Sequence, residues 1–330
     1  MSDHVGIDVG AKSVMVSVRR AGRLVSTREF SQSPEGHQAL IKQLGSKVAC
    51  VVLEATGVYY LDLAVALCRA GLPVSVINPR SFHHFAKLKL SNSKTDAADA
   101  ALLAEYGECL HPPLWQAPNE VLMGLRDIGR QINRLTAART QAKNRLHAMR
   151  SKSSTLALLI EDEVEAVERF DQRIQRLTQA ALELISQQPD TRQHLVNLQQ
   201  AKGIGEASAI AMLAELSVLP ATLKSAQVSR YAGLDVRLCQ SGTSVNKPGR
   251  LSKAGNAYLR SAFYMPALSA VRHDPYAKAY YEALQARGKK KIQALCAVMR
   301  KYLTGVWACL QLGVPFDTSK LFSDQHMKKA

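Results

Sequence analysis

The first 77 residues carry a pattern that few folds accommodate. "VGIDVG", "SVMVSVRR" and "LVSTREF" read as three short strands joined by tight turns, the second turn at "RAGR". Strands joined this tightly form an antiparallel meander. Helix then alternates with strand. "SPEGHQALIKQL" has a Ser cap, a Pro in the first turn and helical periodicity, and "VACVVLE" is apolar enough for a buried strand. "YYLDLAVALCRAG" is a helix that Gly71 closes, and "PVSVIN" is a further strand. The order is three antiparallel strands, then helix, strand, helix, strand.

The prolines of "HPPLWQAP" (111–118) end this alternation, and the chain beyond them reads as helical. Between 122 and 149 an apolar stripe runs through Leu125, Ile128, Ile132, Leu135, Ala142, Leu146 and Met149, with Arg126, Arg130 and Arg134 beside it. Between 160 and 184, Ile160, Val167, Phe170, Ile174, Leu177, Ala181 and Leu184 recur at 3–4 spacing, with Glu163 the one polar residue in the seam. That spacing suits a coiled coil that joins two copies of the chain and also suits a core-facing helix. The expected domains are 1–150, catalytic with a helical extension, 151–190, a coiled-coil segment, and 191–330, a mostly helical nucleic-acid-binding domain.

Charge separates these parts. The formal net charge is +16, and residues 218–330 hold 18 Lys and Arg against 5 Asp and Glu. Residues 1–110 hold 12 against 10 and residues 111–217 hold 13 against 12. Such an excess implies a polyanionic partner for the C-terminal part, nucleic acid above all. In that part "LQQAKGIGEASAIAMLAEL" is helix, glycine turn, helix. Gly203 and Gly205 fit either a helix-hairpin-helix that brings backbone amides to a phosphate, or a tight turn that needs positive φ. The basic stretch "KPGRLSKAGNAYLR" adds Lys247, Arg250, Lys253 and Arg260 as phosphate ligands.

The N-terminal part carries acids where apolar residues are expected. Asp8 sits inside the strand "VGIDVG", and a carboxylate there is costly to bury unless it is paired or coordinated. The actin-like kinase fold also opens on a strand with an acid and glycines, but its second glycine-rich phosphate loop has no counterpart here. Glu54 ends "VACVVLE", and Asp96 and Asp99 stand three apart in "SNSKTDAADA". Acids in the first turn of a helix favour the macrodipole, and residues three apart also share a face on which one cation can be held. An acid on the first strand, an acid ending the fourth and D-x-x-D on a late helix describe an α/β ribonuclease H-like fold of the junction-resolvase type. Its four carboxylates suit two Mg²⁺ ions that cleave a phosphodiester. The six cysteines form no C-x-x-C pair, and the chain begins with no leader-like apolar run. A reduced, cytoplasmic protein that does not contact a membrane is expected.

"GIDVGAK", "LEATGVYY", "VSVINPRSFHHFA", "SKTDAADAALLAE", "KGIGEASA", "YAGLDVRLCQSGTSV", "GRLSKAGNAYLRSAFYMPAL" and "GVPFD" together resemble the DEDD-type transposases of the one-hundred-and-ten family of insertion sequences, which are bridge-RNA-guided recombinases. The resemblance runs over nearly the whole chain and is weakest in the coiled-coil segment and after Asp317. It implies that Asp8, Glu54, Asp96 and Asp99 are the four metal-binding acids. It also implies that Ser241, of the same or a neighbouring protomer, is a nucleophile that links covalently to DNA. The implied partners are donor DNA, target DNA, a structured RNA that pairs with both, and further copies of the chain. From its residues alone Ser241 reads as a turn former. A nuclease that uses only the four acids, and a non-catalytic nucleic-acid scaffold, are the alternatives.

Overall fold

The computed structural model describes all residues except 1, 46, 56, 58, 91–94, 242–244 and 323–330, and describes only the backbone of 245–248. By packing, the chain divides into two units, Met1–Ala117 and Pro118–Ala330.

The first unit is a five-stranded mixed sheet with helices on both faces. Its strands are β1 (Asp3–Val9), β2 (Ser13–Arg20), β3 (Arg23–Ser31), β4 (Val48–Glu54) and β5 (Val74–Ile77), in the order β3-β2-β1-β4-β5. The meander strands are antiparallel, while β4 and β5 run parallel to β1. The helices are α1 (Pro34–Leu44), α2 (Tyr60–Arg69), α3 (Pro79–Leu88) and α4 (Asp96–Leu110). Alternate strand residues point to opposite faces, so two cores form. Val5, Ile7, Val51 and Leu53 pack with Leu40 of α1 and Leu63 and Leu67 of α2. On the other face Cys50, Val52 and Ile77 pack with Phe82 and Phe85 of α3 and Leu103 and Tyr106 of α4.

The second unit holds α5 (Glu120–Arg150), α6 (Ala157–Ser186), α7 (Pro189–Gln199), α8 (Glu206–Leu216), α9 (Ser225–Tyr231), the strands β6 (Val236–Ser241) and β7 (Val245–Leu251), then α10 (Ala257–Ala262), α11 (Tyr264–His273), α12 (Pro275–Ala286) and α13 (Lys291–Leu312). The helix expected as an extension of the catalytic domain belongs here. Its buried Leu125 joins the C-terminal core, and Gly129 rests against Ala214 of α8, where a Cβ on it would fall 2.6 Å from the alanine methyl. α5 and α6 pair antiparallel, with Arg145 donating to Glu163 at 2.6 Å and Arg139 to Asp171 at 2.5 Å. The polar residue of the α6 seam is thus buried and paired within its own chain. Among the described residues no helix is long and apolar enough to cross a membrane.

Candidate active site and nucleic-acid face

The acid site is built by close contact between one helix and one strand. Gly6 on β1 lies directly under α4, and a Cβ there would fall 2.1 Å from the carbonyl oxygen of Ala100 and 2.2 Å from the amide nitrogen of Ala104. No other residue fits that gap. Gly107, further along α4, makes a second close approach, with Val52 Cγ2 at 2.8 Å and His4 Nδ1 at 3.9 Å from the position of its missing Cβ. The helix therefore runs against the direction of β1, its amino end over the strand's carboxyl end. Asp8 is two residues beyond Gly6 on the same face. Asp99 directly precedes Ala100, and Asp96 precedes it by one helical turn.

Strand register supplies the fourth acid. β1 and β4 are parallel with Ile7 beside Leu53, so the next residue on each, Asp8 and Glu54, falls on the face that α4 covers. Thr95 caps α4, its hydroxyl accepting from Ala98 N at 3.2 Å, which fixes Asp96 as the first helical residue. Asp8 and Glu54 are half-buried, as is Asp99, and Asp96 is exposed. The Asp8 carboxyl is pushed up to about 6, first by burial and then by the charges of Asp96, Asp99 and Glu54. The other three predicted acids thus all lie close enough to act on Asp8. Among the described residues no three His, Cys, Asp or Glu side chains gather closely enough to enclose an ion.

The second unit separates its predicted residues. Ser241 closes β6 opposite Val245 and is exposed, so it stands on a strand end rather than in an open turn. Arg250 and Lys253 are exposed at the surface, whereas Arg260 is half-buried with Nη1 donating to the Ala232 carbonyl at 2.9 Å. The side chain of Lys247 lies outside the described residues. Gly203 has φ +93°, and a Cβ on it would meet the Pro266 carbonyl at 2.9 Å, so packing on α11 accounts for this glycine. Gly205 is exposed at the N-cap of α8, with open space around it. Gly6 is not among the residues that the sequence singles out, although a glycine inside an apolar strand is itself a signal of close backbone approach. Nor is Glu215, a buried carboxylate that accepts from Arg130 at 2.6 and 3.0 Å and from Asn256 at 2.5 Å and so ties α5 to the start of α10.

A sheet that carries acids at one end, in a chain that also has a basic C-terminal part, leaves the class open, and family comparison supplies it. Residues 5–152 match a model of DEDD transposases of the IS110 type, and residues 196–282 match "Transposase IS116/IS110/IS902 family". The chain is 30% identical to the pilin gene-inverting protein of Moraxella lacunata over 272 residues, covering 81% of each chain. It is 28% identical to the pilin gene-inverting protein of Moraxella bovis over 324 residues, 95% of this chain and 97% of that one. The protein belongs to the IS110 family of transposases and recombinases. Among solved structures, T. thermophilus RuvC in complex with Holliday junction substrate aligns at 17% identity with a TM-score of 0.29, over 35% of this chain and all of that one.

Proposed function

We propose that this transposase has a ribonuclease H-like N-terminal unit that cleaves DNA with divalent metal, magnesium by preference. We further propose that Ser241 stores the cleaved bond as a phosphoserine and that a structured RNA selects donor and target. The observation that carries the metal reading is the placement of Asp8, Glu54, Asp96 and Asp99 at one end of the sheet under α4, close enough to raise Asp8. The donor set fits the ion. Four carboxylates supply only hard oxygen ligands, and Asp8 is raised first by burial and then by its acidic neighbours, whose negative charge a divalent cation neutralises. When bound, such ions activate an attacking oxygen and stabilise the leaving one.

Each residue then has a task. Asp8 and Glu54, on the two central strands, give the fixed half of the ligand set. Asp96 and Asp99, on the first turn of α4, give the other half. The Ser241 hydroxyl attacks the phosphorus, the bond to the 3′ or 5′ oxygen of the DNA breaks, the serine proton ends on that leaving oxygen as a hydroxyl, and the phosphodiester is conserved as a serine ester ready for strand exchange. Water attack would release that bond, which recombination has to keep. The serine role, the RNA partner and assembly from several copies rest on the family resemblance, together with the charge of +13 on residues 218–330, 18 basic side chains less 5 acidic ones.

The direct test is a denaturing gel of the protein after incubation with RNA, metal and labelled DNA. Ser241→Ala should bind both nucleic acids and form no covalent protein–DNA adduct. An adduct from this variant would remove Ser241 from the mechanism and leave a nuclease that uses the four acids alone as the better reading.

A further inference from the structure

The β6–β7 ribbon holds a feature that its own fold does not explain. Register places Arg237 directly opposite Arg250, two like charges as cross-strand neighbours. Such a pair destabilises a ribbon that is only two strands wide. Both residues are exposed, and among the described residues neither guanidinium has an ion-pair or hydrogen-bond partner. The acid nearest in sequence is already engaged, since Asp235 accepts from the Ser252 hydroxyl.

The direction of the pair is set by the pleat. Arg237, Cys239 and Ser241 alternate along β6 and share one face, with Val236, Leu238 and Gln240 on the other. The register shift between Arg237 and Cys239 places one extra residue on β7, at Pro248–Gly249. Gly249 receives the apolar face, for a Cβ there would meet Val236 Cγ1 at 2.9 Å and Leu238 Cδ2 at 3.2 Å. The arginine pair therefore shares its face with Ser241, on the side away from Val236 and Leu238.

From this geometry we infer that Arg237 and Arg250 form a two-guanidinium clamp for a DNA backbone phosphate, and that Arg237 is a positioning residue for the strand that Ser241 attacks. The last clause rests on the serine reading above, while the clamp does not. Two adjacent forks without counter-ions match the paired oxygens of a phosphodiester, and phosphate binding relieves the repulsion that the free ribbon carries. Arg237 and Ser241 are four residues apart on one strand face, about 13 Å at 3.3 Å per residue, or roughly two phosphates along a strand. DNA rather than RNA is the occupant because the family to which the chain belongs is one of DNA transposases and gene-inverting proteins.

Binding of a short duplex DNA of mixed sequence, monitored by fluorescence anisotropy across a salt series, tests the clamp. Arg237→Gln combined with Arg250→Gln should lower the slope of log affinity against log salt by about 0.9, the value for one lost phosphate contact, and each alone should lower it by less. Arg237→Lys, which keeps the charge, should keep the slope. The thermal midpoint of Arg237→Gln should equal or exceed that of the parent protein, so lost binding cannot be ascribed to unfolding. An unchanged slope, or a slope that falls for single-stranded RNA only, overturns the proposal. The serine reading fails separately. If Ser241→Ala still forms the adduct while Arg237→Gln lowers the DNA slope, the clamp stands and its link to Ser241 is removed.

Discussion

The acids and the serine are carried by two different kinds of scaffold. Asp8 and Glu54 lie at the ends of strands that are buried on both faces, and α4 is seated so closely on β1 that only hydrogen fits at Gly6. Ser241 ends a ribbon in which all six residues of β6 are exposed. A set of carboxylates must be held in place against its own repulsion, and only a packed core supplies that rigidity. A nucleophile, the role proposed for Ser241, gains from standing clear of the core when it has to meet a partner's phosphate. The cost of the first arrangement is legible as a raised Asp8, and of the second as an uncompensated arginine pair.

The largest effect that could break this comparison is at the acids. Asp96→Asn should lower strand cleavage by at least about 10²-fold, the usual cost of removing one charge-handling group from such a site. RNA binding and the thermal midpoint should be retained, because Asp96 is exposed on the first turn of α4. A labelled-DNA cleavage assay measures the first and calorimetry the second. Cleavage at the parent rate would mean that α4 carries capping residues and no ligand.

Much of the acid site can be read from the chain and little of its assembly. The strand order, the Thr-capped start of α4 and the four acids are matters of local pattern, since each depends on neighbours within a few residues. The register that sets Asp8 beside Glu54 joins strands far apart in the chain, and nothing in either strand states it. The same holds for the paired helices α5 and α6. Glu163 reads as a flaw in an apolar seam until Arg145 is placed across from it. The role proposed for Ser241 rests on family resemblance alone, because a serine beside Gly, Thr and Ser looks the same whether it forms a turn or attacks a phosphate.

A smaller effect compares the two glycines on which these scaffolds rest. Gly6→Ala forces a methyl into helix backbone that cannot move without tilting α4, and it should cost about 1–3 kcal/mol and lower cleavage with it. Gly249→Ala meets only the far ends of Val236 and Leu238, both exposed, and should cost less than about 0.5 kcal/mol. Chemical denaturation of both variants measures the difference. Equal losses would mean that the ribbon is packed as tightly as the sheet.

A further effect is a pH dependence confined to the first unit. In chelating buffer, where no metal answers the charge, the Asp8 carboxyl holds its proton more tightly folded than unfolded. Its ordinary value is 3.8 and its folded value is about 6, so its stabilising contribution is complete below 3.8 and is lost as pH rises through about 6. Asp8→Asn cannot ionise and escapes that loss. Its thermal midpoint should therefore gain on that of the parent protein as pH rises from 3.8 to about 6 and hold a constant advantage above. Ser241→Ala, on the exposed ribbon, should track the parent at every pH. If Asp8→Asn also tracks the parent, the carboxylates do not share a field in the free protein, and the acid end of the sheet is no more pre-organised than the ribbon that carries Ser241.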